Sequence, residues 1–319
     1  MSSQYPESPR SALEFAKLFP DNESCIEYLA QWRWPDGFRC PRCEGDRATR
    51  LTTRPLWECR NCGHQTSVTA GTALHRTKLP LTIWLYALWR LSTNRTSISA
   101  LQLQRETGVG SYETAWSLLH KVRRVLGESD QYQLRREAIE VDESQVGGKG
   151  TGMGRRLGES GAWIVAAVER IEVNRPDKKP YQASGSARME VVRNTGAKTL
   201  DAFVNWAVLR GSHIVTDAWH GYDHLEDQGY VHEVHVLRGD STVIEATQPK
   251  VHLLFSNLKA LINGTFHGVS PRHLWSYLRE YVYRFNRRRY GERTFGFMVR
   301  RVMTGPWTSR ATIVAEATG

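Results

Sequence analysis

Residues Ala138–Gly150 read AIEVDESQVGGKG. Side chains alternate along a strand with period two, so Ile139 and Val141 project to one face while Glu140 and Asp142 project to the other. Carboxylates grouped in this way repel one another. The segment is therefore either a solvated edge strand or one side of a cation site. The glycine-rich run that continues it, GGKGTGMGRRLGES, lacks the spacing of a phosphate loop and opens no helix. It reads as a basic loop whose glycines let the backbone approach a phosphate chain, with Lys149, Arg155 and Arg156 as contacts.

Three strands are expected here: IEVDESQV, AWIVAAVER and SARMEVVRN. The second is apolar on both faces and is expected to be central. A helix over about 197–209, the strand SHIVTDA, a short helix near 220–228, the strand YVHEVHVL and helices from 249 to 288 follow. This order predicts an α/β domain, a mixed sheet with helices on its faces. Asp217 closes the apolar strand HIVTD, and ligands of such sheets gather at strand ends, so Asp142 and Asp217 form a candidate pair. His252 and Lys259 lie seven residues apart and share one helix face, while Asn257 looks elsewhere. Trp219, Trp275 and Tyr277 read as packing aromatics.

Upstream, CPRC and CRNC place Cys40, Cys43, Cys59 and Cys62 as two C-x2-C pairs separated by 15 residues. Two tight turns aiming four thiolates at one point describe a zinc ribbon, a closed structural site without an open coordination position. His64 is a polar loop histidine. Cys25 sits in an amphipathic helix over about 13–32, capped by Asn22 or Ser24, as a small core residue. LTIWLYALWRLS, with Pro80 in its first turn, is apolar all round and predicts a buried helix. Ser97–Leu126 breaks at Gly108-Val109-Gly110, with Ser111 as an N-cap, in the pattern of a helix-turn-helix. Its second helix would carry Lys121, Arg123 and Arg124 to DNA. RFNRRRYGER adds Arg287 and Arg288.

The formal charge of +10 and pI of about 9.5 point to a polyanionic partner. No apolar run reaches the roughly 20 residues that span a bilayer, and MSSQYPESPR lacks the apolar core of a signal peptide. A cytoplasmic protein without a membrane role is expected. There, paired cysteines bind metal more often than they form disulfides.

Together, CPRC…CRNC, GTALHRTKLPLTIW, IEVDESQVGGK, IVTDAWHGY and NLKALINGTFHGVSPRHLWSYLREYVYRFNRR resemble the zinc-ribbon insertion-sequence transposases of the DDE superfamily, over residues 35 to 300. The resemblance implies a ribonuclease-H-like core, structural Zn2+, catalytic Mg2+ or Mn2+, and DNA strand cleavage and strand transfer. It also implies binding of double-stranded DNA, both transposon ends and target, by a homodimer or larger homo-oligomer associated with a prokaryotic nucleoid. Its two acids fall on Asp142 and Asp217, and its lysine on Lys259. The third ligand position, commonly Glu, holds His252; Glu245 is the nearest upstream acid and Asn257 a weaker substitute. Ser144 and Gln145 stand where the family usually has Thr and an aromatic. Two other readings compete: a zinc-ribbon DNA-binding regulator or inactive, domesticated transposase, and a ribonuclease-H-fold structure-specific nuclease. The expected layout is a helical segment at 1–35, the ribbon at 36–68, a helical DNA-binding region at 78–128, a catalytic domain at 135–300 and a tail at 301–319.

Overall fold

A computed structural model describes residues 6–128, 132–135, 138–146, 161–176, 178–236 and 248–316. The chain divides into two units, Met1–Ser129 with Arg287–Gly319, and Asp130–Asn286. Residues 301–319 fall in the first unit, and the second unit ends at Asn286. Among the described residues no helix is long and apolar enough to cross a membrane.

In the first unit the single helix expected over 13–32 is two, α1 (Ala12–Leu18) and α2 (Asn22–Arg33). Pro20 lies between them, where a missing N–H and a fixed φ favour a break. Asp21, rather than Asn22 or Ser24, caps α2, its Oδ1 accepting Ser24 N at 2.8 Å. Cys25 is fully buried, and burial pushes its thiol up to about 12. The ribbon is a three-stranded antiparallel sheet of β1 (Ala48–Arg50), β2 (Leu56–Cys59) and β3 (Gln65–Ser67).

Helix α3 (Leu81–Thr93) buries Leu81, Trp84, Leu85, Leu88 and Leu91, as its all-round apolar sequence requires. Next come α4 (Ala100–Thr107) and α5 (Tyr112–Gly127). Gly108 ends α4 at φ +68°, a left-handed backbone natural to glycine, and Ser111 caps α5 by accepting Thr114 N at 3.1 Å. The hairpin forms, but α5 is not presented to solvent. It packs against α3, α4, α9 (Arg293–Thr304) and α10 (Arg310–Glu316), and only Tyr112 and Glu113 of its residues are exposed. Helix α5 thus has a central packing role in this unit, with Lys121 and Arg124 partly exposed at its side. Arg123, expected to contact DNA, is buried at 1% exposure.

The second unit holds β4 (Ala138–Val146), β5 (Ala162–Arg175), β6 (Lys178–Val192), β7 (His213–Asp217) and β8 (Val231–His235) in the spatial order β6-β5-β4-β7-β8. β4, β5 and β6 are antiparallel neighbours, whereas β7 runs parallel to both β4 and β8. The central strand is β4, not β5 as its two apolar faces suggested. β4 is also covered on both faces, but one covered face carries carboxylates. Ile139, Val141, Val165, Ala167 and Ile214 pack against α6 (Ala197–Ala207) through Leu200, Phe203 and Val204. Ile164, Ala166 and Val168 pack on the other face against α7 (Pro249–Leu261) and α8 (Pro271–Arg287). Val251, Leu254, Phe255 and Leu258 form the buried stripe of α7 at i, i+3, i+4, i+7. This leaves His252 and Lys259 on its flank.

Candidate active site and zinc centre

Alternation along β4 puts Glu140, Asp142 and Ser144 on the face turned towards α7, and each meets that helix at a successive level. Glu140 Oε2 accepts the backbone N–H groups of Lys250 and Val251 at 2.7 and 2.9 Å. Asp142 Oδ2 lies 3.8 Å from His252 Nε2. Ser144 Oγ accepts Lys259 Nζ at 2.7 Å. Asp217 ends β7, the parallel neighbour of β4, and its Oδ1 accepts Trp219 N at 3.1 Å.

The electrostatics favour a cation here. Asp142 is nearly buried, and burial, then the charge of Glu143, then that of Asp217, push its carboxyl up to about 8 against the opposing pull of Lys259. Glu143 is raised in turn by burial and Asp217, and accepts a 2.6 Å hydrogen bond from Tyr222 OH. Tyr222 is fully buried, and its phenol is held well above its ordinary range by burial and by that carboxylate. Burial lowers His252, keeping the imidazole neutral near pH 7, and its buried Nε2 has no hydrogen-bond partner among the described residues. A neutral imidazole beside a disfavoured carboxylate is a donor set that a divalent ion would relieve. The set is not drawn tight: among the described residues, the four cysteines alone form a cluster of three or more ligand side chains.

Several neighbours escaped sequence reading. Glu140 is not a spare carboxylate for an ion, because α7 and Arg170 occupy it. The Glu143–Tyr222 pair joins residues 79 apart, which no local pattern signals. Ser144 takes a definite part through Lys259. Trp219 is 43% exposed rather than packed, with its Nε1 donating to Thr195 O at 2.9 Å. Gly221 permits this, since a Cβ there would meet Trp219 Nε1 at 2.8 Å and Thr195 O at 2.9 Å. Asn257 is exposed. Lys149, Arg155, Arg156 and Glu245 lie outside the described residues. Lys121 is partly buried, Arg124 pairs with Glu128 at 3.2 Å, Arg287 is partly buried, and Arg288 is exposed. A cavity of about 800 Å3 lined by Arg135, Arg170, Arg210 and His213 opens at the start of β7. That is about 13 Å of strand from Asp217, so it is separate from the acids.

In the ribbon, two turns of like construction carry the cysteines. Cys40 O accepts Glu44 N and Cys59 O accepts Gly63 N, both at 2.9 Å, and Glu44 and Gly63 both take positive φ. All four sulfurs lie within 4.8 Å of one another, with Cys40–Cys62 at 3.7 Å and Cys43–Cys59 at 3.6 Å. Tetrahedral zinc with bonds of about 2.3 Å spaces its sulfurs about 3.8 Å apart, so the cage fits structural Zn2+.

A four-cysteine ribbon, a helical region and a five-stranded mixed sheet with acids on adjacent strands define a zinc-ribbon protein with a ribonuclease-H-like core. Residues 134–286 match the ISXO2-like transposase domain, and residues 20–65 match the transposase zinc-ribbon domain. The chain belongs to the zinc-ribbon insertion-sequence transposases of the DDE superfamily. It is similar to an "Uncharacterized protein in transposable element ISH50" of Halobacterium salinarum, 28% identical over 134 residues, which are 41% of this chain and 44% of that protein. The chain thus spans less than half the length of that relative. No solved structure matches it.

Proposed function

We propose that this chain is a DDE-type transposase that binds the terminal inverted repeats of its element and cleaves and transfers DNA strands with Asp142, Asp217, His252 and Lys259. The observation that carries the reading is the succession of Asp142–His252 and Ser144–Lys259 between β4 and α7, beside the strand that ends in Asp217. Asp142, Asp217 and His252 would hold the catalytic ion. When bound, divalent Mg2+ or Mn2+ supplies activation of the attacking oxygen and stabilisation of the leaving one. Lys259, oriented by Ser144, stabilises charge on the phosphate being cut. Neutral His252 suits Mn2+ better than Mg2+, because imidazole is the softer donor.

The net charge of +10 supports a DNA partner. Lys149, Arg155, Arg156, Lys121, Arg124, Arg287 and Arg288 are the proposed phosphate contacts, with Arg123 withdrawn because it is buried. A homodimer or larger assembly brings two ends together. The test is a terminal-repeat duplex offered to Asp142→Ala and Asp217→Ala: cleavage and joining should vanish while a gel shift persists. Wild-type cleavage by either variant refutes the site, and end binding by the native chain without cleavage in Mg2+ or Mn2+ favours the regulator or inactive transposase.

A further inference from the structure

Glu140 is the one polar residue of the β4 face that the proposed chemistry leaves unused. It is fully buried, where a carboxylate is costly unless every lone pair is satisfied. Oε1 takes the Arg170 guanidinium, Nε at 3.0 Å and the terminal nitrogen at 2.9 Å, and Oε2 takes Lys250 N and Val251 N. An ionised carboxylate offers about four acceptor positions, and all are filled, so Glu140 has none left for an ion. Helix α7 begins at Pro249, so Lys250 and Val251 carry N–H groups that a helix leaves without internal acceptors. The helix dipole adds to the attraction.

A reciprocal stitch comes from Gln248, the buried residue before α7. Its amide donates to Val215 O at 3.1 Å and approaches Val141 O at 3.5 Å. The β4–β7 register pairs Ile139 with Ile214 and Glu140 with Val215, and the amide sits where that ladder ends, just before Asp142 and Asp217. The first turn of α7 is therefore joined to both acid-bearing strands by buried hydrogen bonds.

We propose that Glu140, charge-paired with Arg170, is a positioning residue that sets the rotation of α7 and hence the place of His252 against Asp142. The proposal rests on the active-site assignment above. His252 follows Val251 directly, and one residue of helix turns about 100°, so loosening the first turn swings the imidazole away from β4. A buried ion pair can usually be replaced by apolar side chains without loss of stability. Here the same carboxylate also holds two N–H groups of the first turn of α7, so its loss frees that turn as well as the ion pair.

The experiment uses the full zinc-loaded chain and three readouts: melting temperature, Mn2+ affinity by electron paramagnetic resonance, and terminal-repeat cleavage. Glu140→Met combined with Arg170→Met removes the acceptor and its cation together, and Glu140→Gln keeps one accepting oxygen. The paired variant also leaves Lys250 N and Val251 N without their acceptor, so it should stay folded but melt below the native protein, and it should bind Mn2+ about tenfold more weakly, the usual scale for groups that orient a metal ligand. Glu140→Gln should fall between the two. In a His252→Ala background the same paired change should alter Mn2+ affinity by less than about twofold, because the effect passes through His252. A folded paired variant with native Mn2+ affinity and cleavage overturns the proposal. So does a loss of affinity that adds in full to that of His252→Ala. Should the paired variant fail to fold, Glu140→Gln decides by the same measurements. Asp142→Ala run alongside separates the two failures: native behaviour there sinks the active-site assignment, and native behaviour only at position 140 sinks the clamp.

Discussion

Replacing Asp142 by Asn should stabilise the metal-free protein near neutral pH while abolishing its response to Mg2+. In the folded state burial and the neighbouring charges of Glu143 and Asp217 raise this carboxyl from 3.8 to about 8. The native state then holds a proton over a pH range in which the unfolded chain has released it. Stability from this group is fully present below about pH 4 and is lost as pH rises through about 8. Each pH unit inside that window removes about 1.4 kcal/mol, or about 3 kcal/mol between pH 5 and pH 7. Asp142 is only 9% exposed, so solvent screening reduces this little. Asparagine has no proton to lose, so the variant-minus-native difference in stability should grow by about that amount over those two units. Hydrogen exchange of β4 and β5 amides, corrected for its intrinsic pH dependence, reads the opening free energy of this unit directly. Mg2+ should then slow exchange in the native protein and leave the variant unchanged. A difference that stays flat with pH, or that shrinks as pH rises, refutes the reasoning.

Cys59→Ser opens a closed four-thiolate shell, and metal analysis should find the ribbon's zinc lost together with thermal stability, whereas the native protein carries about one zinc per chain. Tyr222→Phe removes a 2.6 Å hydrogen bond to Glu143 and should cost about 1–3 kcal/mol in unfolding of the catalytic unit; unaltered stability would mean that this buried bond contributes nothing. Arg288→Ala should reduce the salt slope of DNA binding by about one, while Arg123→Met should lower the melting temperature and leave the slope alone. His252→Glu should restore a hard oxygen ligand and shift the metal preference towards Mg2+, measured as the Mg2+/Mn2+ ratio of cleavage rates; an unchanged ratio argues that His252 does not touch the ion.

The zinc ribbon was legible because its information is local. Two C-x2-C turns carry their own geometry, and the sulfur spacings follow wherever the turns meet. The mixed α/β unit was legible for a similar reason, since period-two and period-3.6 patterns report which faces are covered. Hydropathy misled at β4, whose carboxylate face reads as wet. Glu140 is in fact dry, because Arg170 and the start of α7 satisfy it, and hydropathy has no means of representing a partner 110 residues away. It misled again at α5, whose basic residues suggested a surface. Helices α9 and α10 arrive from the far end of the chain to cover that surface.

By itself, then, the order of residues determined the ribbon, the strand and helix types, and the spacing that allows His252 and Lys259 to share a helix face. Only the tertiary structure decided which acid meets which group. On one strand face Glu140 meets a helix end and an arginine, Asp142 an imidazole, and Ser144 an ammonium, although all three sit at equivalent alternating positions. The physical reason is that alternation fixes the side to which a residue points, whereas the burial, charge and donors it finds there come from chain segments that packing brings in from far along the sequence.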